Sequence, residues 1–472
     1  MTYISNTPAD REAMLASIGI TSIEDLLEPL PKSIRLRNPL NMPEPLNELS
    51  LVRHLAGLAS RNSDLESHIC FLGAGIYDHF RPSVVAALSS RGEFATAYTP
   101  YQPELSQGML QALYEYQTLI CALTGMEVAN ASMYDGACGM AEAALMAISL
   151  TGRREAIVAG DAHPLYRQVL HTYLHAAGCR VVETDYRREA GSEVASLVGP
   201  ETACVIFQQP GFFGTLTDCG AITGAAHSAG ALAIAVVDPV SLALLKPPAE
   251  YDADIVVGEG QSLGNAMGFG GPLLGFFACK MKYARSFPGR IVGATHDEQG
   301  RRGYTMTLRT REQDIRREKA TSNICTNQTL LAIAATIYLC EVGREGLREV
   351  AEISARNAHY ARQQLHRVAG ASPLFPQKRH FKEFAVRLEA PPEKVNRALL
   401  KHKIVGGLPL GRFYPELSDS MLIAVTENRT RAEIDLLANG VKTAAEINRG
   451  TPDEPAAAPV CKQAEQSAVV AH

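Results

Sequence analysis

The sequence predicts an α/β protein: a large, mainly parallel mixed sheet with helices on both faces, followed by a smaller C-terminal α+β domain. Three observations predict it. Between about residues 61 and 330, short apolar runs alternate with longer helical patterns. After about residue 331, a helix-rich stretch gives way to the short strand patterns FKEFAVRL and MLIAVTE and a final helix, RAEIDLLANGVKTAAEI. At 472 residues the chain is long enough for a large core and, by length alone, for two or three domains.

Residues 1 to 60 read as an arm. Asp10 to Ile18 and Ser22 to Leu27 fit two short helices, the second capped by Thr21 or Ser22 with acidic residues in its first turn. The proline-rich connection PLPKSIRLRNPLNMPEPLNE follows. Extended segments of this kind wrap neighbouring subunits, and a plain surface arm is the competing reading. In the large domain, 61–330, helices are expected over Ser106 to Leu123 and Gly139 to Ser149. The strands expected there are Ala156 to Ala159, Arg180 to Glu183, Ala203 to Gln208, Ala231 to Val237, Ile255 to Val257 and Leu274 to Ala278. A cationic helix is expected within 309–328, running into a polar turn. The small domain covers 331–448. The tail 449–472, rich in Ala, Pro and charge, has too little apolar pattern to pack and is expected to be disordered.

Composition narrows the ligands. With 45 basic and 50 acidic residues the net charge is −5, which argues against a nucleic-acid surface or an anionic membrane. Ten scattered cysteines without a C-x-x-C pair suit reduced core thiols in a cytoplasmic protein. The start, MTYISNTPADREAML, has neither a signal core nor a transit pattern, and no apolar run is long enough to span a bilayer.

The stretch IAVVDPVSLALLKPPAEYDADIVVGEGQSLGNAMGFGGPLLG, residues 234 to 275, reads like the anchoring region of a pyridoxal phosphate enzyme without its lysine. Asp238 ends an apolar strand, where a carboxylate suits a protonated pyridinium nitrogen. Gln261 follows the next strand, close to where a Schiff-base lysine is expected, and an amide cannot form the imine. Lys246 and Lys280 are poor substitutes by position.

Three other constellations stand out. SMYDGACGMAEAAL, 132 to 145, opens a helix with glycines that can cradle an anion, although Ala137 and Cys138 stand where a phosphate cup usually has a hydroxyl. AGDAHPLYRQVLHTYLH places His163 beyond a strand, where it either stacks on a pyridine ring or is a polar loop residue. His171 and His175 have helical spacing, but Thr172 stands where a zinc motif needs glutamate. AYTPYQPELSQG, 97 to 108, gathers Tyr98, Tyr101, Gln102, Glu104, Ser106 and Gln107 before a helix start, and RTREQDIRREKATSNICTNQ, 309 to 328, ends in Ser322, Asn323 and Thr326. Polar aromatics concentrated in a loop favour a lined pocket over plain packing.

Together, YTPYQPELSQG, SMYDGACGMAE, the GQSLG-to-GFGGP run with Pro288 to Arg290, and REQDIRREKATSNICTNQ resemble the glycine dehydrogenase (decarboxylating) family, the P-protein of the glycine cleavage system. The likeness runs from GAGIYDHFRP, at residue 73, to the final helix. It implies a fold-type I pyridoxal phosphate enzyme and, by length, the N-terminal-half subunit of the two-subunit form, working with a second subunit in a heterotetramer. It further implies that the partner subunit binds pyridoxal phosphate covalently, that glycine loses CO2 there, and that an aminomethyl group passes to the lipoyl arm of H-protein, with T-protein and L-protein as indirect partners. Gly136, His163, Asp238 and Gln261 would then be a vestigial cofactor pocket. Tyr98, Tyr101, Gln102, Glu104, Ser106, Gln107, Ser322 and Asn323 would line the partner's site across the interface. Three rival readings remain: a self-sufficient enzyme using Lys246 or Lys280, a noncatalytic subunit that steadies its partner, and a module that binds H-protein alone.

Overall fold

The computed structural model describes residues 5–36, 38, 40–268, 270–367 and 371–450. They divide into two compact units, Met1–Ser63 and Asp64–His472. In the first, helix Pro8–Ser17 opens with a capping box between Thr7 and Asp10, and a tight turn of helix, Ile23–Leu27, opens with another between Ser22 and Asp25. A further helix, Glu48–Ala59, starts at Asn47, whose side chain accepts from the Ser50 N–H. None of the three buries a side chain, and Leu49, Leu51, Val52 and Leu55 stay exposed.

The second unit begins with β1 (Ile69–Cys70) and is organised by seven strands: β2 (Val128–Ala129), β3 (Glu155–Val158), β4 (Arg180–Glu183), β5 (Thr202–Gln209), β6 (Leu232–Val237), β7 (Ile255–Glu259) and β8 (Gly275–Cys279). They lie in the order β2-β8-β7-β6-β5-β3-β4. The run from β4 to β7 is parallel, and β8 is antiparallel to both its neighbours. The apolar runs are continuous because both faces are covered. Val205, Phe207, Ala233, Ala235, Val256 and Phe276 enter one core cluster, with helices Gln107–Thr124 and Cys219–Ser228. Their neighbours Cys204, Ile206, Ile234, Val236, Val257 and Phe277 enter the other, with helices Gly136–Thr151 and Pro164–Ala176. That alternation is the two-residue period of a strand, and each large side chain so buried contributes roughly 1.5–3 kcal/mol.

A hairpin follows, β9 (Ile291–His296) with β10 (Arg302–Thr307). A second sheet then forms from β11 (Ala371–Pro373), β12 (Glu383–Leu388), β14 (Leu408–Pro409) and β15 (Ser420–Ala424), in the order β11-β12-β15-β14. Strand β13 (Ile404–Val405) pairs in parallel with β1, so the chain entering at residue 69 joins the smaller layer before crossing to the large sheet. Helical structure over Thr329–Arg367 is broken at Gly343, whose φ of 58° and ψ of −170° are not helical. Its first part (Ala332, Ala335, Tyr338) packs with the large sheet and its later part (Ala358, Ala361, Leu365) with the small one, so the chain has no slack linker near residue 331.

The structure differs from the sequence expectation over 309–328. Instead of one cationic helix there are three short turns, Arg309–Arg311, Gln313–Arg316 and Arg317–Lys319. Leu308 and Arg317 take positive φ values of 57° and 52°, and the buried Arg311 guanidinium donates to the carbonyls of Leu308, Phe287 and Gly289. Tertiary hydrogen bonds override helix propensity there. Arg449 and Gly450 end the last helix, Arg431–Gly450, and the rest of the tail expected to be disordered lies outside the described residues.

Candidate active site

The C-terminal ends of the parallel strands bring Gln208, Asp238, Glu259 and Gln261 to one edge of the sheet, the usual place for a ligand in such a fold. His163 and Gly136 face the same spot from the starts of their helices. The four residues expected to form a vestigial pocket are therefore neighbours. The chain itself fills that pocket.

Three internal substitutes do so. The carboxylate of Glu259 accepts from the N–H groups of Gly136 (3.1 Å), Gln261 (3.0 Å) and Leu274 (2.9 Å). The Gly136 amide, at the helix start that could cradle an anion, is therefore already engaged. Asp238, the expected pyridinium partner, instead holds the ammonium of Lys382 at 2.7 Å. Gln261 grips the backbone of Tyr77, accepting from its N–H at 3.0 Å and donating to its carbonyl at 3.1 Å. The segment Gly73 to Phe80 thereby lies across the strand ends, with Lys382 Nζ 3.7 Å from the centre of the Tyr77 ring. The remaining cavity is about 30 Å³, against the roughly 300–1,000 Å³ of small-molecule sites. Pyridoxal phosphate does not fit: position 261 is an amide, the one lysine present, Lys382, is held by Asp238 and His79, and no anion cup or carboxylate is left free.

The network behind this plug is saturated. Lysine can only donate, so His79 Nε2 accepts from Lys382 at 2.8 Å, and Nδ1 carries the proton shared with Glu427 at 2.6 Å. Burial and the Lys382 charge push the His79 ring below its usual range. Glu383 accepts from the Ala74 N–H (2.7 Å) and the Tyr77 hydroxyl (2.9 Å). His163 stacks on Tyr166, 4.7 Å between ring centres; its Nδ1 accepts from the Leu165 N–H and its Nε2 faces the Ala74 carbonyl. Burial holds His163 down to about 4, so the ring is neutral.

Burial raises both Glu259 and Glu383 to about 7, from an ordinary value of 4.5. A group with a raised folded-state pKa stabilises fully below its unfolded pKa, and that contribution is lost as pH rises through the folded value. The urea midpoint is therefore expected to fall between about pH 4.5 and 7, by on the order of a few kcal/mol of stability for the pair. A Glu383→Gln variant should flatten that slope in a pH series of unfolding curves.

The other motifs quoted above meet elsewhere. Arg290, 4% exposed, reaches two of them with one guanidinium. Nη2 donates to the Tyr101 hydroxyl at 2.9 Å and to the Cys325 carbonyl at 2.6 Å. Nη1 donates to Thr326 Oγ1 at 3.1 Å and to Thr99 Oγ1 at 3.3 Å. Arg290 and Arg309 each lie over the Tyr101 ring, 5.2 and 5.0 Å from its centre. Tyr134 accepts from the Cys325 and Thr326 N–H groups, Ser132 accepts from the Gln328 N–H, and Asn327 donates to the Ala131 carbonyl. The tyrosine loop, the SMYDG turn, Pro288 to Arg290 and SNICTNQ thus form one patch.

Within that patch Tyr98 is 88% exposed and Tyr101 43%. Gln102, Glu104 and Asn323 are exposed, and Ser106 is half-buried at the start of helix Gln107–Thr124. Gln107 is committed internally: its amide donates to the Pro103 and Tyr304 carbonyls and accepts from the Tyr304 N–H, fixing the loop against β10. Ser322 accepts from the Ile324 N–H, and burial pushes the carboxyl of nearby Glu142 up to about 6. The rival lysines lie apart from both places. Lys246 is exposed, and Lys280 binds Asp252 and Asp254 at the opposite end of β7 from Gln261. His171 pairs with Glu183, and among the described residues no group of three or more His, Cys, Asp or Glu is placed to hold a metal.

Sequence reasoning missed Tyr77, which GAGIYDHFRP contains without marking it as a site residue, and Lys382 and Glu383, which reach the site from the smaller layer. Arg290 was visible in the quoted PGR, but nothing local marked it as the link between two loops.

The family model described as "Glycine cleavage system P-protein" matches residues 1–440. A probable glycine dehydrogenase (decarboxylating) subunit 1 of Desulfitobacterium hafniense is 50% identical over 443 residues, covering 93% of this chain and 99% of its own. Its counterpart in Moorella thermoacetica is 51% identical over 439 residues, covering 93% and 98%. A crystal structure of glycine decarboxylase (P-protein) in inhibitor-bound form superposes with a TM-score of 0.86 at 46% identity, over 94% of this chain and 100% of that one. A sphingosine-1-phosphate lyase of Burkholderia pseudomallei (TM-score 0.62, 17% identity, 87% of this chain and 93% of that one) shares the fold alone. That fold is the type I fold of pyridoxal phosphate enzymes that the family resemblance implied, and the chain belongs to the glycine cleavage system P-protein family.

Proposed function

We propose that this chain is the first subunit of a two-subunit glycine decarboxylase, and that it completes an active site whose pyridoxal phosphate is held by the partner. One observation carries this reading: the chain's own pocket is filled by Glu259, Lys382 and Tyr77, while four separated motifs build a second, exposed polar patch. A scaffold alone has no need to hold a buried Arg290 beneath the exposed Tyr101.

When bound on the partner, the cofactor supplies an electron sink for the carbanion left as CO2 departs. This chain's residues orient and enclose. Tyr98 and Tyr101 present hydroxyls to substrate or phosphate oxygens. Ser322 and Asn323 form the facing wall, Gln102 and Glu104 shape the loop, and Ser106 and Gln107 fix its junction with the helix. Closing the patch against the partner excludes water and strengthens every one of these hydrogen bonds. The exposed apolar side chains of Met1–Ser63 suit an arm that wraps the partner. The aminomethyl group passes to the lipoyl arm of H-protein, with T-protein and L-protein acting downstream. The nine described cysteines, all unpaired, suit a reducing cytoplasm.

The test is reconstitution. Exchange of labelled CO2 into glycine, with lipoylated H-protein present, is expected from the two subunits together and from neither alone. Activity of the partner alone at the full rate would reduce this chain to an accessory, and activity of this chain alone would return the self-sufficient reading.

A further inference from the structure

We infer that Arg290 is a positioning residue, which locks Tyr101 as a hydrogen-bond donor toward an anionic oxygen presented across the subunit interface. This rests on the function proposed above. A guanidinium has only donors, so in the 2.9 Å contact from Arg290 Nη2 the Tyr101 oxygen must accept. The phenol has a single proton, and that proton cannot lie along the same line. It is directed away from Arg290, on a side chain that is 43% exposed.

The ring is also held by two cations. Arg290 and Arg309 lie over it. The same Arg290 fork ties the Thr99 and Thr326 hydroxyls and the Cys325 carbonyl, so the tyrosine loop and the SNICTNQ turn hold one relative position. The acidic side chain facing Arg290 is Glu312, with 3.9 Å between Nε and Oε2, too long for a hydrogen bond. A buried guanidinium matched mainly by neutral oxygens is a poor stabiliser of a fold. It leaves a positive charge behind Tyr101, which favours a negative oxygen in front. The candidates of that chemistry are the carboxylate of glycine and the phosphate of the partner's cofactor.

The test is a double-mutant cycle in the reconstituted two-subunit enzyme, using Arg290→Lys and Tyr101→Phe. Lysine keeps the charge and loses the fork. Each single change is expected to lower kcat/KM about 100-fold, the usual effect of losing one preorganised donor. If Arg290 acts through Tyr101, the double variant loses about 100-fold as well, instead of the roughly 10,000-fold expected of independent sites. Size-exclusion and the partner's cofactor absorbance monitor assembly. Should Arg290→Lys fail to assemble, Thr326→Val loosens the fork more gently, and its several-fold loss should vanish in the Tyr101→Phe background. The two oxygen sources separate in one further reading: a raised KM for glycine points to the carboxylate, and weakened retention of pyridoxal phosphate points to the phosphate. Multiplicative losses with a normal wild-type rate would overturn the inference alone, whereas an inactive wild-type assembly would overturn the functional reading beneath it.

Discussion

Replacing Lys382 by methionine is expected to destabilise the chain by about 3–5 kcal/mol, the usual consequence of removing one partner from a buried ion pair. Lys382 is 1% exposed and ties its own strand to two other segments: Asp238 at the end of β6, and Gly73 to Phe80 through His79 and the face of Tyr77. Methionine fills much of the same volume but leaves the Asp238 carboxylate uncompensated. Adding Asp238→Asn should recover most of the loss, because asparagine keeps an oxygen for the Val240 N–H, which Asp238 now accepts at 3.0 Å. Urea unfolding with an unchanged m-value checks both variants. A cost below about 1 kcal/mol for Lys382→Met would place the pair among ordinary surface contacts.

Restoring lysine at position 261 is expected to leave the chain unable to form a Schiff base with pyridoxal phosphate. Gln261 is 2% exposed, and its amide holds both polar groups of the Tyr77 backbone and the Asn265 carbonyl. A new amine there still meets Glu259 on the amides of the anion cup and Lys382 on Asp238. The purified Gln261→Lys chain, mixed with excess cofactor and reduced with borohydride, should carry no pyridoxyl label and show no visible absorbance. Labelling of residue 261 would mean that the missing lysine was the only barrier, and that Glu259, Lys382 and Tyr77 yield readily.

The lysine-for-glutamine question was legible from the sequence because the strands on either side of it are. Runs such as Ala203 to Gln208 and Ile255 to Val257 are buried on both faces, so their apolar patterns survive without the helices being known. The cationic segment 309–328 was not legible as turns, because Arg311 looks like a surface residue until the carbonyls of Phe287 and Gly289, more than twenty residues earlier, join that of Leu308 as its partners. The plug was hidden for the same reason. Lys382 sits in FKEFAVRL, which reads only as a strand, and GAGIYDHF carries no sign that Tyr77 will lie on Gln261. Gln107 lies in the tyrosine loop by sequence but bonds β10 by structure. Chemistry assembled across hundreds of residues leaves no local pattern.

The division of labour between a filled pocket and an exposed polar patch makes one measurement the most direct. Glycine–CO2 exchange by the reconstituted assembly should be compared between the wild-type chain and Tyr101→Phe, with cofactor content counted in the same samples. The expected result is one pyridoxal phosphate per pair of subunits in both, with the rate reduced about 100-fold in the variant. Full activity of Tyr101→Phe, or a second cofactor bound by this chain, would contradict it.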